Sequence, residues 1–182
     1  RDRHDAILVG VGTVLADDPA LTTRLPPGGR DPDRLVLDTN ARTPVTAAVL
    51  AQRSDARTVI LAAESAAESR VAALEAAGAT VWRLPVDEHG ICLSAVLARC
   101  GAEGLLSVLV EGGSRVHGSF VRSQHCDRVV AFIAPKILGG STATPAVGGS
   151  GFARLAECLR IESWETRACG PDVVLDGLVS NP

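Results

Sequence analysis

The chain has 182 residues, 18 Lys and Arg against 21 Asp and Glu, a formal net charge of −3 and 3% aromatic residues, which excludes a phosphate-backbone binder needing basic surface and stacking rings. With 46% hydrophobic residues it suits one globular domain whose core needs no disulfides or metal. Its longest nearly apolar stretch, residues 6–16, is interrupted by glycine and falls short of the roughly 18 to 20 residues that span a bilayer. The charged start RDRHD lacks the apolar region of a signal peptide. Five cysteines stand at no metal-ligand spacing, and the four histidines form neither H-x-E nor H-E-x-x-H. This usage predicts buried thiols in a reducing compartment and no metal site.

The first predicted strand, near 6–10, runs into GVGTVLADDPALTTR. Gly10 and Gly12 stand where a dinucleotide fingerprint turns from strand to helix, but Leu15 occupies the place of its third glycine. The proline-glycine stretch PPGGRDPD, residues 26–33, is predicted to be a surface loop. A second strand near 34–38 ends at Asp38, which stands 26 residues after Gly12, about where a Rossmann unit keeps its ribose-binding acid; with no full helix between them, that reading is weak. A third strand is expected near 57–62. The helix after it has Ser65 and Glu68 at capping-box spacing, Ala67, Val71 and Leu74 on one face, and Gly78 to stop it.

Strands near 79–83 and 105–110 follow, and the latter ends in VEGGSRVHGSF. A strand, a glycine turn and a helix starting near Ser114 present free N–H groups and the positive end of a helix dipole to an anion, pyrophosphate above all. The same turn on spacing alone also fits a purely structural connection. Gly118 inside that helix costs about 1 kcal/mol relative to alanine, so a backbone or a ligand is expected to approach closely there. Glu111 ends a parallel strand, where open α/β sheets bind ligands; a solvated or ion-paired acid is the alternative. A further strand is predicted near 128–133, and APKILGG and VGGSGF, residues 134–140 and 147–152, read as loops, either of which a lid could use. The order implies a mostly parallel sheet with helices on both faces. Period-two alternation across Gly170 and Pro171 predicts a C-terminal antiparallel hairpin.

Taken together, GVGTVLADDPALTTR, RLVLDT, VEGGSRVHGSF, RVVAFIAPKILGG and GPDVVL, in this order, resemble the reductase domain of the bacterial riboflavin-pathway deaminase-reductase over nearly the whole chain. The resemblance implies a dihydrofolate-reductase-like α/β fold. It also implies NADPH-dependent reduction of 5-amino-6-(5-phosphoribosylamino)uracil to its ribitylamino product, by a cytoplasmic homodimer that takes a small phosphoribosylamino-pyrimidine. By this similarity Thr13, Asp17 and Thr39 contact the cofactor, and Gly113, Ser114, Arg115, Val116, His117, Gly118 and Ser119 line its phosphates. Leu21, Arg24, Glu111 and Arg1 contact the substrate, with Arg24 on its phosphate. His117 itself reads as packing or solvent-facing, not catalytic. Hydride addition to an opened ribosylamine needs a proton at the ring oxygen, from Asp17, Glu111 or water.

The deaminase signature H-x-E with P-C-x-x-C is absent from this sequence. The family also carries an opening strand upstream of the position of Arg1. The resemblance therefore implies a single reductase domain over 1–182 without its first strand, and a zinc deaminase fused upstream is the arrangement to look for. Two alternatives stay open: a relative of the same fold acting on a diamino-pyrimidinone or folate-type substrate, and an inactive nucleotide-binding module.

Overall fold

The structure, a computed structural model, describes residues 1–25, 28–140 and 142–180. Pro26 and Pro27 of the predicted 26–33 loop lie outside the described residues. The chain forms β1 (Ala6–Gly10), α1 (Val11–Asp17), β2 (Asp33–Leu37), β3 (Thr58–Ala63), α2 (Glu68–Ala76) and β4 (Thr80–Leu84). A short ribbon, β5 (Val86–Asp87) with β6 (Gly90–Ile91), precedes α3 (Leu93–Ala102), β7 (Val108–Val110) and α4 (Ser114–Arg122). Strands β8 (Arg128–Ile133), β9 (Arg160–Cys169) and β10 (Asp172–Ser180) complete it.

Five parallel strands run in the order β4-β3-β2-β1-β7. Their side chains alternate between two cores, as the period of a strand requires. Ile7, Val9, Val36, Ile60 and Ala62 face one side with Val71 and Leu74 of α2 and Val14 of α1. Ala6, Leu8, Leu35, Val59 and Leu61 face the other with Val96 and Cys100 of α3 and Phe120 of α4. Burying each of the larger aliphatic side chains stabilises by about 1.5–3 kcal/mol, so β1, β2 and β3, buried on both faces, form the rigid centre. Two buried polar side chains, Arg34 of β2 and Thr58 of β3, join them. Arg34 is fully buried; its Nε donates to Thr58 Oγ1 at 2.9 Å, and its other nitrogens donate to Ser54 Oγ and the Ala56 carbonyl. Burial lowers its pKa.

Several expectations are corrected. The 128–133 strand does not extend the parallel sheet; β8 pairs antiparallel with β10 in a separate sheet of order β8-β10-β9. The hairpin turn does fall at Gly170, whose φ is +59°. The capping box at α2 is not made. The N-cap is Ala67, with no side-chain cap, two residues beyond Ser65, and the Glu68 carboxylate is taken by Arg83 instead. Arg83 also donates to the carbonyls of Glu64 and Ala66, tying the entry to α2 onto β4. Ala67 is exposed and Ala66 takes the buried place. Gly78 stops the helix as expected, at φ +93° with its N–H on Glu75 and that of Ala79 on Leu74. Of the thiols only Cys100 is fully buried, and burial pushes it up; Cys169 is exposed. No helix among the described residues is long and apolar enough to cross a membrane.

Candidate active site

The carboxyl ends of β1 and β7 lie side by side, because Leu8 is paired with Val110 and the Glu111 N–H donates to the Leu8 carbonyl at 3.0 Å. Two strand-to-helix turns leave this edge together, and only glycine lets them touch. A Cβ on Gly112 would stand 2.4 Å from Val9 Cα and 2.8 Å from the Gly10 nitrogen; one on Gly10 would stand 2.8 Å from Val116 Cγ2. Gly113 then turns into α4 at φ +55°, a conformation that side chains rarely adopt. No side chain caps α4, so the N–H groups of its first turn face the edge unshielded. Thr13 Oγ1 would lie 3.4 Å from a Cβ at Gly113, which sets the α1 hydroxyl beside the α4 N-terminus.

The segment after α1 is fixed at both ends. Asp18 closes α1 in the left-handed region with its N–H on Val14, and its Oδ1 accepts from the Ala48 N–H at 2.7 Å. Thr23 donates its N–H to Asp31 and its hydroxyl to the Arg30 carbonyl. Between them Leu21 is buried at φ +54°, with its side chain in the core beside α1. Only its backbone is left to face a ligand.

Arg1 joins this segment to β7. Its Nε and terminal nitrogen fork onto the two Glu111 oxygens at 2.9 and 2.6 Å, and its remaining nitrogen donates to the Thr22 carbonyl at 2.7 Å. Glu111 raises the pKa of Arg1. Two of the four substrate candidates, Arg1 and Glu111, therefore occupy one cluster, and both Glu111 oxygens are engaged as acceptors. Asp17 and Arg24 are exposed, and neither has a hydrogen bond or ion pair among the described residues.

The α4 candidates divide. Ser114 and Arg115 sit in the first turn, and Val116 packs into the second core and against Gly10. His117 Nδ1 donates to the Ala146 carbonyl at 2.9 Å, and the Gly148 N–H donates to the Ser114 carbonyl at 2.8 Å. A Cβ on Gly118 would lie 2.0 Å from the Gly148 carbonyl oxygen. The close approach expected at Gly118 is thus that of a backbone. Arg122 continues the contact onto Ser150 Oγ and the Gly151 carbonyl, and the Ser119 hydroxyl bonds back to Arg115 within the helix. So the 147–152 stretch, expected to be a loop that a lid could use, is strapped along α4.

Thr39 lies past the end of β2 and accepts the Ala63 N–H on its carbonyl, at the same edge but two strands from α4. Asp38 beside it is fully buried. Its Oδ2 accepts from the Thr43 N–H and hydroxyl at 2.6 and 2.8 Å. A carboxylate shut inside that turn cannot reach a ribose, which rules out the Rossmann reading of Asp38.

The family model of the RibD C-terminal domain matches residues 1–175. This chain belongs to the RibD C-terminal domain family. The domain is 37% identical over 178 residues to the riboflavin biosynthesis protein RibD of Bacillus amyloliquefaciens, covering 98% of this chain and 47% of that protein. It is 36% identical to the 2,5-diamino-6-ribosylamino-4(3H)-pyrimidinone 5′-phosphate reductase of Methanothermobacter thermautotrophicus, covering 97% of this chain and 80% of that one. A solved deaminase/5-amino-6-(5-phosphoribosylamino)uracil reductase of Thermotoga maritima superposes with TM-score 0.72 at 25% identity, covering 99% of this chain and 46% of that one. The α/β fold of this chain, a parallel five-stranded sheet with helices and a C-terminal antiparallel sheet, is that of a solved RibD of Acinetobacter baumannii, which superposes with TM-score 0.80 at 22% identity. The chain spans about half the length of the RibD proteins it matches.

Proposed function

We propose that this domain reduces 5-amino-6-(5-phosphoribosylamino)uracil to 5-amino-6-(5-phosphoribitylamino)uracil with NADPH. The observation that carries the reading is the pairing, at one strand edge, of an uncapped helix N-terminus beside Thr13 with the Arg1–Glu111 cluster and the unpaired Arg24. The first suits a dinucleotide's phosphates and the second a polar, phosphorylated substrate. The Thermotoga protein of the same fold is named for this substrate.

NADPH, when bound, supplies hydride to the sugar C1 of the opened ribosylamine. The chain's own residues do the rest. Gly113 and the first-turn amides of Ser114, Arg115 and Val116 hold the pyrophosphate, with Thr13 beside them, while Asp17 and Thr39 meet the cofactor further along the edge. His117, Gly118 and Ser119 act through the glycine loop and the helix. Arg24 grips the substrate phosphate, and Glu111 with Arg1 and the Leu21 backbone orients the pyrimidine. Glu111 has both oxygens occupied, so Asp17 is the freer side chain to pass a proton to the ring oxygen. The domain works as a homodimer in the cytoplasm, as the reductase part of a deaminase/reductase like that of Thermotoga maritima.

The 36% identity to the archaeal reductase favours a second reading, a 2,5-diamino-pyrimidinone substrate. Steady-state NADPH oxidation with both substrates decides: kcat/KM is expected to be higher for the aminouracil. A reversed preference selects the second reading, and tight NADPH binding with no turnover of either selects an inactive binding module.

A further inference from the structure

Asp18, the residue that closes α1, stands where three local preferences oppose it. Its backbone is left-handed, at φ +41° and ψ +55°, a region that side chains rarely adopt and glycine supplies freely. It precedes Pro19, whose ring pushes the residue before it toward extended conformations. It also sets a negative charge at the C-terminal end of a helix that has no basic residue in its last turn. Against these stands the reach of its side chain: Oδ1 accepts from the Ala48 N–H at 2.7 Å, 30 positions along the chain. The turn that holds Ala48 is firm ground. Ala47 and Val49 on either side are buried in the same core as Val14 and Leu21, and the Val49 carbonyl accepts from the Thr58 hydroxyl of β3 at 2.9 Å. Glycine would take the same backbone shape without strain, so the carboxylate is what this position needs.

The pin acts on the residue before it. α1 has only seven residues, Val11–Asp17, and helix ends fray. Asp17 is the last of them, exposed and without a hydrogen bond or ion pair of its own among the described residues. Farther along, Leu21 is buried, the Thr22 carbonyl is held by Arg1 and the Thr23 N–H by Asp31, so the chain beyond Ala20 is anchored without Asp18. We propose that Asp18 is a positioning residue: pinned to Ala48, it keeps the last turn of α1 wound and so fixes where Asp17 stands. This rests on the reading above, in which Asp17 passes the proton, and adds the residue that holds it in place.

The test is steady-state NADPH oxidation with the aminouracil substrate by the intact protein carrying Asp18→Gly, Asp18→Asn, Asp17→Asn, or Asp18→Gly together with Asp17→Asn. Glycine keeps the left-handed backbone and loses the pin, whereas asparagine tolerates that backbone and keeps an oxygen for the Ala48 N–H. A misplacement of about 1 Å can cost on the order of 100-fold in rate, so Asp18→Gly should lower kcat by about 10- to 100-fold and Asp18→Asn should recover most of the loss. In the Asp17→Asn background the same glycine should cost less than about threefold. Asp18 is exposed, and thermal scans check that each variant is folded at the assay temperature. A pin that is merely structural would cost the same factor in both backgrounds. That result, an unchanged kcat in Asp18→Gly, or an Asp18→Asn as slow as the glycine variant overturns the proposal and leaves the role of Asp17 standing. A wild-type kcat in Asp17→Asn overturns the proton reading on which it rests.

Discussion

Arg24 has no partner among the described residues and lies two positions beyond the carbonyl that holds Arg1. A guanidinium that forks onto a phosphate contributes roughly 1.5–3 kcal/mol per charged hydrogen bond. Arg24→Ala should therefore raise KM for the phosphorylated substrate by about 10- to 150-fold and leave NADPH affinity unchanged. Steady-state kinetics with the dephosphorylated substrate supplies the control, since the alanine variant should use it no worse than wild type does. An equal loss on both substrates would move Arg24 out of the phosphate site. The motif around Arg24 was legible from the sequence because its residues are contiguous. The Arg1–Glu111 fork was not, since 110 positions separate the two and nothing in their spacing says that they meet. Asp38 misled for a related reason: a lone acid after a strand looks the same whether it faces a ribose or, as here, closes its own turn on Thr43.

At the level of elements, the sequence told most where an apolar run was unbroken. AILVG, RLVL and TVILAA are apolar at nearly every position, as strands covered on both faces are, and in the structure their side chains point alternately into the two cores. The partner of β8 was illegible because RVVAFI carries no mark of parallel or antiparallel pairing; that depends on the chain reversal supplied by β10. The entry to β1 shows how tertiary contacts outrank local signals. Asp5 accepts from Arg30, from the Ser107 hydroxyl and from the N–H groups of Leu106 and Ser107, joining the start of β1 to that of β7. The Arg30 guanidinium, then the Ser107 hydroxyl, holds its carboxyl below the usual range. A lowered folded value means that the stabilisation is present above the ordinary aspartate pKa of about 3.9 and is lost as pH falls through the folded value. Asp5→Asn should then lower Tm at pH 7, and the gap from wild type should close as thermal scans move below pH 4. The α4 strap gives a second test at this scale. A valine at Gly118 would drive atoms into the Gly148 carbonyl, and such overpacking costs typically 1–3 kcal/mol. Urea unfolding of Gly118→Val should show a loss of about that size; an unchanged midpoint would mean that the loop moves aside freely.

For the whole molecule, the C-terminal sheet is the part that one chain leaves unfinished. Pairing places Val129, Ala131 and Ile133 of β8, Val173 and Leu175 of β10, and Trp164, Thr166 and Ala168 of β9 on one face. It carries no charge, and Ile133, Val173 and Trp164 are 56%, 46% and 59% exposed. Monomers rarely show a continuous apolar patch of this kind, and an identical face on a second copy would cover it without a buried ion. Light scattering after size exclusion should give a dimer, and Trp164→Glu with Val173→Asp should give a folded monomer. A wild-type monomer at tens of micromolar would dismiss the pairing.

The contact of Gly112 with Val9 and Gly10 also fixes how this molecule opens. With no side chain between the two turns, the floor of the site has no soft layer to yield, and the Glu111 amide, bonded to Leu8 inside the sheet, should exchange its hydrogen for deuterium only when the whole domain unfolds. The Gly148 amide is held by a single surface bond to Ser114, so a local release of the loop exposes it. Native-state exchange is expected to separate the two by several kcal/mol of opening free energy, within the range from near zero to the global value that a single domain displays. Ligands would then come and go past a floor that stays shut while the loop above it breathes.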